Sequence, residues 1–214
     1  MNEALRAGGN SLGAECHLLV FARVPALGRV KSRLAAGIGD AAALAVYNEL
    51  LGITRAAVEQ AGVPATVWLA DAPGPAPAAA EAAQWPGMAV RGQPAGDLGQ
   101  RMAAAFAAAF AAGAGRVVII GTDCPGLRAA HLTAAFARLR AHDVVLGPAT
   151  DGGYYLLGLR QLRPELFEHK AWSTASVLAD TLADARRLGC RVALLPELRD
   201  VDTAADLAAW RAAI

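Results

Sequence analysis

The chain lacks any long hydrophobic run: 55% of its 214 residues are apolar, yet no stretch approaches the ~20 apolar residues that a membrane span requires. The apolar runs 18–22 and 117–120 are short and bounded by Gly, Pro or polar residues, so they read as buried strands. Cysteine is scarce. Cys16, Cys124 and Cys190 are far apart and odd in number, with no CxxC pair, which argues against a disulfide framework or a zinc site and fits a reducing cytoplasm. Charge of one sign is lacking too. The net charge is +1 and both signs are scattered, so neither a nucleic-acid stripe nor a polybasic membrane patch is present. The GxxxxGK[ST] spacing of a Walker A loop, an internal repeat and a metal-ligand spacing among the four histidines are likewise absent.

What is there is an alternation of short apolar runs with helical periodicity. Strands are expected at residues 17–22, 66–70, 88–90, 116–121, 144–146, 154–159 and 191–195. Helices are expected at 41–61, after the loop 92–99, from the loop after Pro125 to about 140, and at 176–188 and 204–213, with a surface loop at 71–80. Such alternation predicts a largely parallel sheet covered on both faces, with ligands beyond the carboxyl ends of the strands. The length suits one domain, residues 17–214, behind a loose lead-in at 1–16 that has no apolar core and so is no secretory signal.

Five segments can carry chemistry. The loop Arg23-Val-Pro-Ala-Leu-Gly-Arg-Val-Lys-Ser-Arg-Leu34 follows the first strand directly. Gly28 admits close backbone approach to a phosphate, Lys31 is a point charge, and Arg23 or Arg33 can fork onto paired oxygens; a helix starting near Val30 would add its positive end. The other reading is an ordinary solvated basic loop. In Gly121-Thr-Asp-Cys-Pro125, Asp123 stands at the end of the strongest strand, where one carboxylate and substrate phosphates can hold Mg²⁺ or Mn²⁺, or where it caps the next helix. Asp202, in Asp200-Val-Asp-Thr-Ala-Ala-Asp-Leu207, either brings a second carboxylate to that ion or caps a helix, with Thr203 competing for the cap and Asp206 as the acid of the first turn. Asp151-Gly-Gly-Tyr-Tyr155 is a tight turn or a place where a ligand passes near the backbone. Gly96-Asp-Leu-Gly-Gln-Arg-Met102 puts Arg101 in a first helical turn, and Trp172 precedes a further helix as packing or as a sugar platform.

Taken in order, segments 21–34, 96–102, 121–125, 147–158 and 200–207 resemble the bacterial DUF2064 proteins, glycosyltransferase-like members of the nucleotide-diphospho-sugar transferase superfamily. The resemblance runs from about residue 18 to 210. It implies an α/β, Rossmann-like GT-A fold, a three-layer α/β/α arrangement around a mixed, mostly parallel sheet, and a divalent metal, Mg²⁺ or Mn²⁺. Asp123 matches the metal-binding acid, and Asp202 the late acid that completes the site in sugar nucleotidyltransferases. Arg23, Gly28, Lys31 and Arg33 match the nucleotide loop, with Lys-Ser-Arg-Leu standing where many relatives have Lys-Thr-Arg-Leu. A true Asp-x-Asp is absent, because Cys124-Pro125 follows Asp123. The Lys-Ser-Arg-Leu and Asp-Gly-Gly pieces also resemble phospholactate guanylyltransferase.

The resulting expectation is a metal-dependent transferase taking a nucleotide or nucleotide-sugar and a small-molecule acceptor, with no nucleic acid or membrane partner and homo-oligomerisation left open. Its catalytic candidates are Asp123, Asp151 and Lys31. Its nucleotide-binding candidates are Ala22, Arg23, Gly28, Lys31, Arg33, Gly96, Asp97, Leu98 and Arg101; Gly152, Gly153, Tyr154 and Trp172 stand on the acceptor side. Nucleotidyl transfer from an NTP to a phosphorylated acceptor uses the same parts, and a non-catalytic nucleotide-binding module is the third reading.

Overall fold

β1 (Cys16–Arg23) buries both of its faces, which divides the core in two. Leu18 and Val20 pack with Tyr47, Leu51, Leu132 and Phe136 on one side, whereas Leu19 packs with Met102 and Phe106 on the other. The computed structural model describes residues 15–71 and 79–213. After β1 come α1 (Ser32–Ile38), α2 (Asp40–Ala61), β2 (Ala65–Ala70), α3 (Ala79–Ala83), β3 (Ala89–Gly92), α4 (Leu98–Ala111) and β4 (Arg116–Ile120). Then follow α5 (Ala129–Arg138), β5 (Val144–Pro148), β6 (Tyr154–Leu159), a 3-10 turn at Pro164–Leu166, α6 (Val177–Arg187), β7 (Val192–Leu194) and α7 (Ala204–Arg211).

The strands form one seven-stranded sheet in the order β3-β2-β1-β4-β6-β5-β7. Every pairing is parallel except those of β6, which runs antiparallel to β4 and β5. The fold is therefore the expected three-layer α/β/α arrangement around a mixed, mostly parallel sheet. α2 and α5 cover one face, and α4 and α6 the other. A third cluster, Leu34, Val46, Leu50 and Val201 with Leu207 and Trp210 against it, ties α1 and α7 to the outer side of α2.

The chain leaves β1 for β2 and β3 on one side and returns to place β4 on the other, so the strand order reverses between β1 and β4. In open α/β sheets such a reversal opens a crevice beyond the carboxyl ends of the strands. The loop after β1, with Lys31, and the loop after β4, with Asp123, flank that crevice.

α2, β2 and α4 lie close to their expected places, while α3 and the 3-10 turn were not anticipated. The helix offered near Val30 is α1, which starts at Ser32 and buries only Leu34; so short a helix with so small an apolar face leaves little periodicity to read. α3 takes the end of the expected 71–80 loop, of which residues 72–78 lie outside the described part. Most of the expected lead-in, residues 1–14, also lies outside it, and β1 already begins at Cys16. Among the described residues no helix is long and apolar enough to cross a membrane.

Candidate active site

Beyond the carboxyl ends of β1 and β4 lies a cleft of about 630 Å³. Of the expected site residues, Ala22, Arg23, Lys31, Arg33, Leu98, Arg101, Asp123, Asp151, Gly153, Tyr154, Trp172 and Asp202 line it. Gly28, Gly96, Asp97 and Gly152 are not among the lining residues. Gly28 and Gly96 turn the backbone at φ 69° and 120°. Asp97 caps α4, accepting from Gln100 N at 2.8 Å while Gln100 Oε1 accepts from Asp97 N at 3.0 Å. Gly152, at φ 89°, lies so close to Ala175 that a Cβ would stand 2.3 Å from its carbonyl oxygen.

The centre of the cleft is an ion triad. Lys31 Nζ lies 2.5 Å from Asp123 Oδ1 and 2.9 Å from Asp202 Oδ1, and Arg33 Nη1 lies 3.8 Å from the other oxygen of Asp202. The Lys31 side chain is only 5% exposed, against 45% for Asp123 and 35% for Asp202. Burial works against the Lys31 charge, but Asp123 and Asp202 outweigh it and hold its pKa above the ordinary lysine value. Lys31 reaches this position from a left-handed backbone, φ 50° and ψ 47°, just before α1. A side chain other than glycine there stores strain of ~1–2 kcal/mol.

Neither acid is spent on capping. Arg128, well past Asp123, is the N-cap of α5, and Thr203 caps α7 by accepting from Asp206 N, while Asp206 accepts from Thr203 N at 2.9 Å. The two loops are fastened together: Val201 N donates to the Asp123 carbonyl at 3.0 Å, and Val201 itself is fully buried. With Val201 turned inward, Asp200 and Asp202 on either side of it both line the cleft.

Asp200 is a site residue that sequence reasoning passed over, although its place two residues before Asp202 was a usable signal. The Cys124 thiol donates to Asp200 Oδ1. Burial pushes the Asp200 carboxyl up to about 6; the Cys124 hydrogen bond opposes this, and the nearby Asp151, Asp123 and Asp202 charges reinforce it. Burial and then Asp200 push the Cys124 thiol far above its ordinary value, so it remains a protonated donor and is no nucleophile. Tyr47 of α2 and Gln93 after β3 were also missed, because each reads as an ordinary helix or loop residue. Gln93 Nε2 donates to the Trp68 carbonyl at 3.0 Å, bracing the wall beside β1 and β2.

The acceptor-side candidates divide. Asp151 Oδ1 accepts from Gly153 N at 2.8 Å, which builds the turn and fixes the carboxylate at the cleft edge. The Tyr154 hydroxyl is buried and interacts with Thr181 of α6, so this residue offers the cleft a ring rather than a polar handle. Trp172 packs on α4 where Gly99 leaves room: a Cβ at Gly99 would stand 2.6 Å from Trp172 Nε1. Arg101 Nε donates to the Gly96 carbonyl at 2.8 Å, and Arg23 pairs with the half-exposed Asp71 at 2.9 Å.

Among the described residues no group of three or more His, Cys, Asp or Glu side chains is arranged to hold a metal. Of the carboxylates lining the cleft, Asp123 and Asp202 are the pair that converge, both on Lys31 Nζ. That pair suits a hydrated Mg²⁺ or Mn²⁺, which takes one or two carboxylates and completes its shell with water and phosphate oxygens.

Comparison with known proteins gives a consistent picture. Residues 54–174 match the family model described as "Uncharacterized protein conserved in bacteria (DUF2064)". A Desulfovibrio desulfuricans G20 protein, provisionally named a nucleotide-diphospho-sugar transferase, is 32% identical over 91% of this chain and 85% of its own, with a TM-score of 0.84. The inositol-1-phosphate CTP transferase of T. maritima is 15% identical over 91% and 92% of the two chains, with a TM-score of 0.59. Mycobacterium tuberculosis H37Rv Rv0371c, in complex with manganese, is 18% identical over 94% and 100%, with a TM-score of 0.58. The last two share the GT-A-like fold alone. No curated protein matches the chain.

Proposed function

The chain belongs to the DUF2064 family, and from that premise we propose that it is a metal-dependent transferase that moves a sugar from a nucleotide-activated donor to a small-molecule acceptor. The observation that carries this reading is the convergence of Asp123 and Asp202 on one point, Lys31 Nζ, at the reversal of strand order. Two carboxylates meeting there, ringed by Arg23, Arg33 and Arg101, form a place for a divalent ion and a diphosphate. The manganese complex of a protein with the same fold and the name of the Desulfovibrio relative support the assignment.

Asp123 and Asp202 would hold a divalent ion there, which would supply positive charge to offset that of the departing diphosphate. Lys31 and the surrounding arginines hold the phosphate oxygens, Arg101 from the first turn of α4 and Arg33 from α1. Asp151 accepts the proton of the acceptor hydroxyl. The acceptor oxygen bonds to the anomeric carbon as that carbon's bond to the phosphate oxygen breaks, and the nucleoside diphosphate leaves. Three free thiols, at Cys16, Cys124 and Cys190, suit a reducing cytoplasm.

A second reading, nucleotidyl transfer from an NTP to a phosphorylated acceptor, is favoured by Cys124-Pro125 standing where an Asp-x-Asp would place its second acid and by the fold shared with a CTP transferase. Thermal unfolding against nucleotide sugars and NTPs, each with and without Mg²⁺ or Mn²⁺, separates the two. A ligand at 100 times its Kd adds ~2.7 kcal/mol, roughly 5–10 °C for a chain of this size. A metal-dependent rise with a nucleotide sugar supports sugar transfer, a rise with an NTP alone supports nucleotidyl transfer, and no rise with any of them removes both.

A further inference from the structure

The chain has 20 basic residues, of which only Lys31 and Lys170 are lysines. The arginines of the cleft lie around its rim, but the position between the two carboxylates is held by a lysine. An ammonium is a compact point charge, whereas a guanidinium is a broad planar fork. Only the ammonium has the shape to stand where a small ion would stand. The Lys31 side chain is almost wholly buried there and contacts one oxygen of each acid, and its backbone is held in the left-handed region to reach it.

We infer that Lys31 is a built-in counter-ion that fills the metal position of the ligand-free site and is drawn out by the donor's phosphates, so that the metal enters together with the nucleotide and not ahead of it. This rests on the proposed assignment of Asp123 and Asp202 as metal ligands. The physical reason is electrostatic. Without a cation, two carboxylates converging on one point repel each other, and the ammonium relieves that repulsion. A divalent ion and the ammonium cannot share the space between the same two oxygens, because like charges at such separation repel strongly. Diphosphate oxygens offer the released ammonium new acceptors of the same charge type. Arg33, 73% exposed and 3.8 Å from the free oxygen of Asp202, keeps a positive charge beside the acids while Lys31 moves.

The test is Mn²⁺ binding to the full chain without nucleotide, followed by loss of the free-ion EPR signal, in the wild type and in Lys31→Met. The variant is expected to bind Mn²⁺ at least tenfold more tightly than the wild type and to regain thermal stability when Mn²⁺ is added, whereas the wild type responds weakly. Lys31→Met combined with Asp123→Asn is expected to lose the gain. Lys31→Gln, neutral and similar in length, replaces Lys31→Met if the apolar side chain prevents folding. Equal Mn²⁺ affinity in wild type and variant, with the wild type still showing metal-dependent nucleotide binding, overturns the counter-ion role and leaves the proposed function standing. Absence of any metal-dependent nucleotide binding in the wild type overturns the metal assignment, and the counter-ion role with it.

Discussion

Tyr47 holds the backbone of Arg23 through both of its polar groups: Arg23 N donates to the phenol oxygen at 2.8 Å, and the phenol donates to the Arg23 carbonyl at 3.2 Å. Tyr47 is itself buried in α2, so the core of the sheet's helical layer fixes where the loop after β1 leaves the sheet. Tyr47→Phe keeps the ring and removes both bonds. It is expected to lower stability by about 1–2 kcal/mol, the cost of leaving backbone groups unsatisfied, and to weaken nucleotide binding by up to about tenfold, equivalent to ~1.4 kcal/mol. Urea unfolding and nucleotide titration of the same preparation check both. Unchanged affinity beside reduced stability means that the loop is set by other contacts.

Asp123→Ala is expected to abolish the metal-dependent part of nucleotide binding while the fold persists, because Asp202 still holds Lys31 at 2.9 Å. The comparison is made by titrating nucleotide with Mg²⁺ and then with EDTA, alongside far-UV circular dichroism. A variant that binds with the wild type's full metal dependence shows that the ion sits elsewhere.

For Asp151 the structure offers a clean substitution. Its Oδ1 accepts from Gly153 N, and the amide oxygen of Asn preserves that bond and therefore the turn. Asp151→Asn should leave stability and nucleotide affinity in place while turnover falls by ~10²–10⁴-fold, the range of general-base contributions. Undiminished turnover takes Asp151 out of the mechanism and leaves it a turn residue.

The sequence made some of this site legible and left the rest to tertiary structure. β1 and β4 stood out because Leu18, Leu19 and Val20, and then Val117 through Ile120, are buried on both faces of the sheet, and continuous apolar runs mark such strands. The antiparallel insertion of β6 between β4 and β5 leaves no local trace, since strand order is decided by pairing and not by periodicity. Asp123 and Asp202 could each be read as a ligand or a cap, and only the fold shows that Arg128 and Thr203 take the caps of α5 and α7. The Lys31–Asp202 contact joins residues 171 positions apart, so its geometry belongs to the fold alone. Asp97, read from its motif as a nucleotide-loop residue, also forms the capping box that starts α4.

Away from the cleft, Lys170 is paired with Asp184, and its side chain is only 1% exposed. Burial tends to raise the Asp184 carboxyl, but hydrogen bonds from Lys170 and Arg187 prevail and hold it below its ordinary value. A depressed folded-state pKa means that the pair contributes stability above the unfolded carboxyl's value of ~3.9, and that this contribution is lost as pH falls through the lower folded value. Asp184→Asn leaves the buried ammonium without a carboxylate, and is expected to cost about 3 kcal/mol at pH 7, as broken buried pairs do. Below about pH 4 the gap between the two proteins should begin to narrow, and it closes once the pH passes the lower folded-state value at which the wild-type carboxyl is neutral as well. Urea unfolding at pH 7 and pH 3 reads that convergence directly. A gap that stays constant with pH would instead assign the loss to side-chain packing, because packing does not titrate.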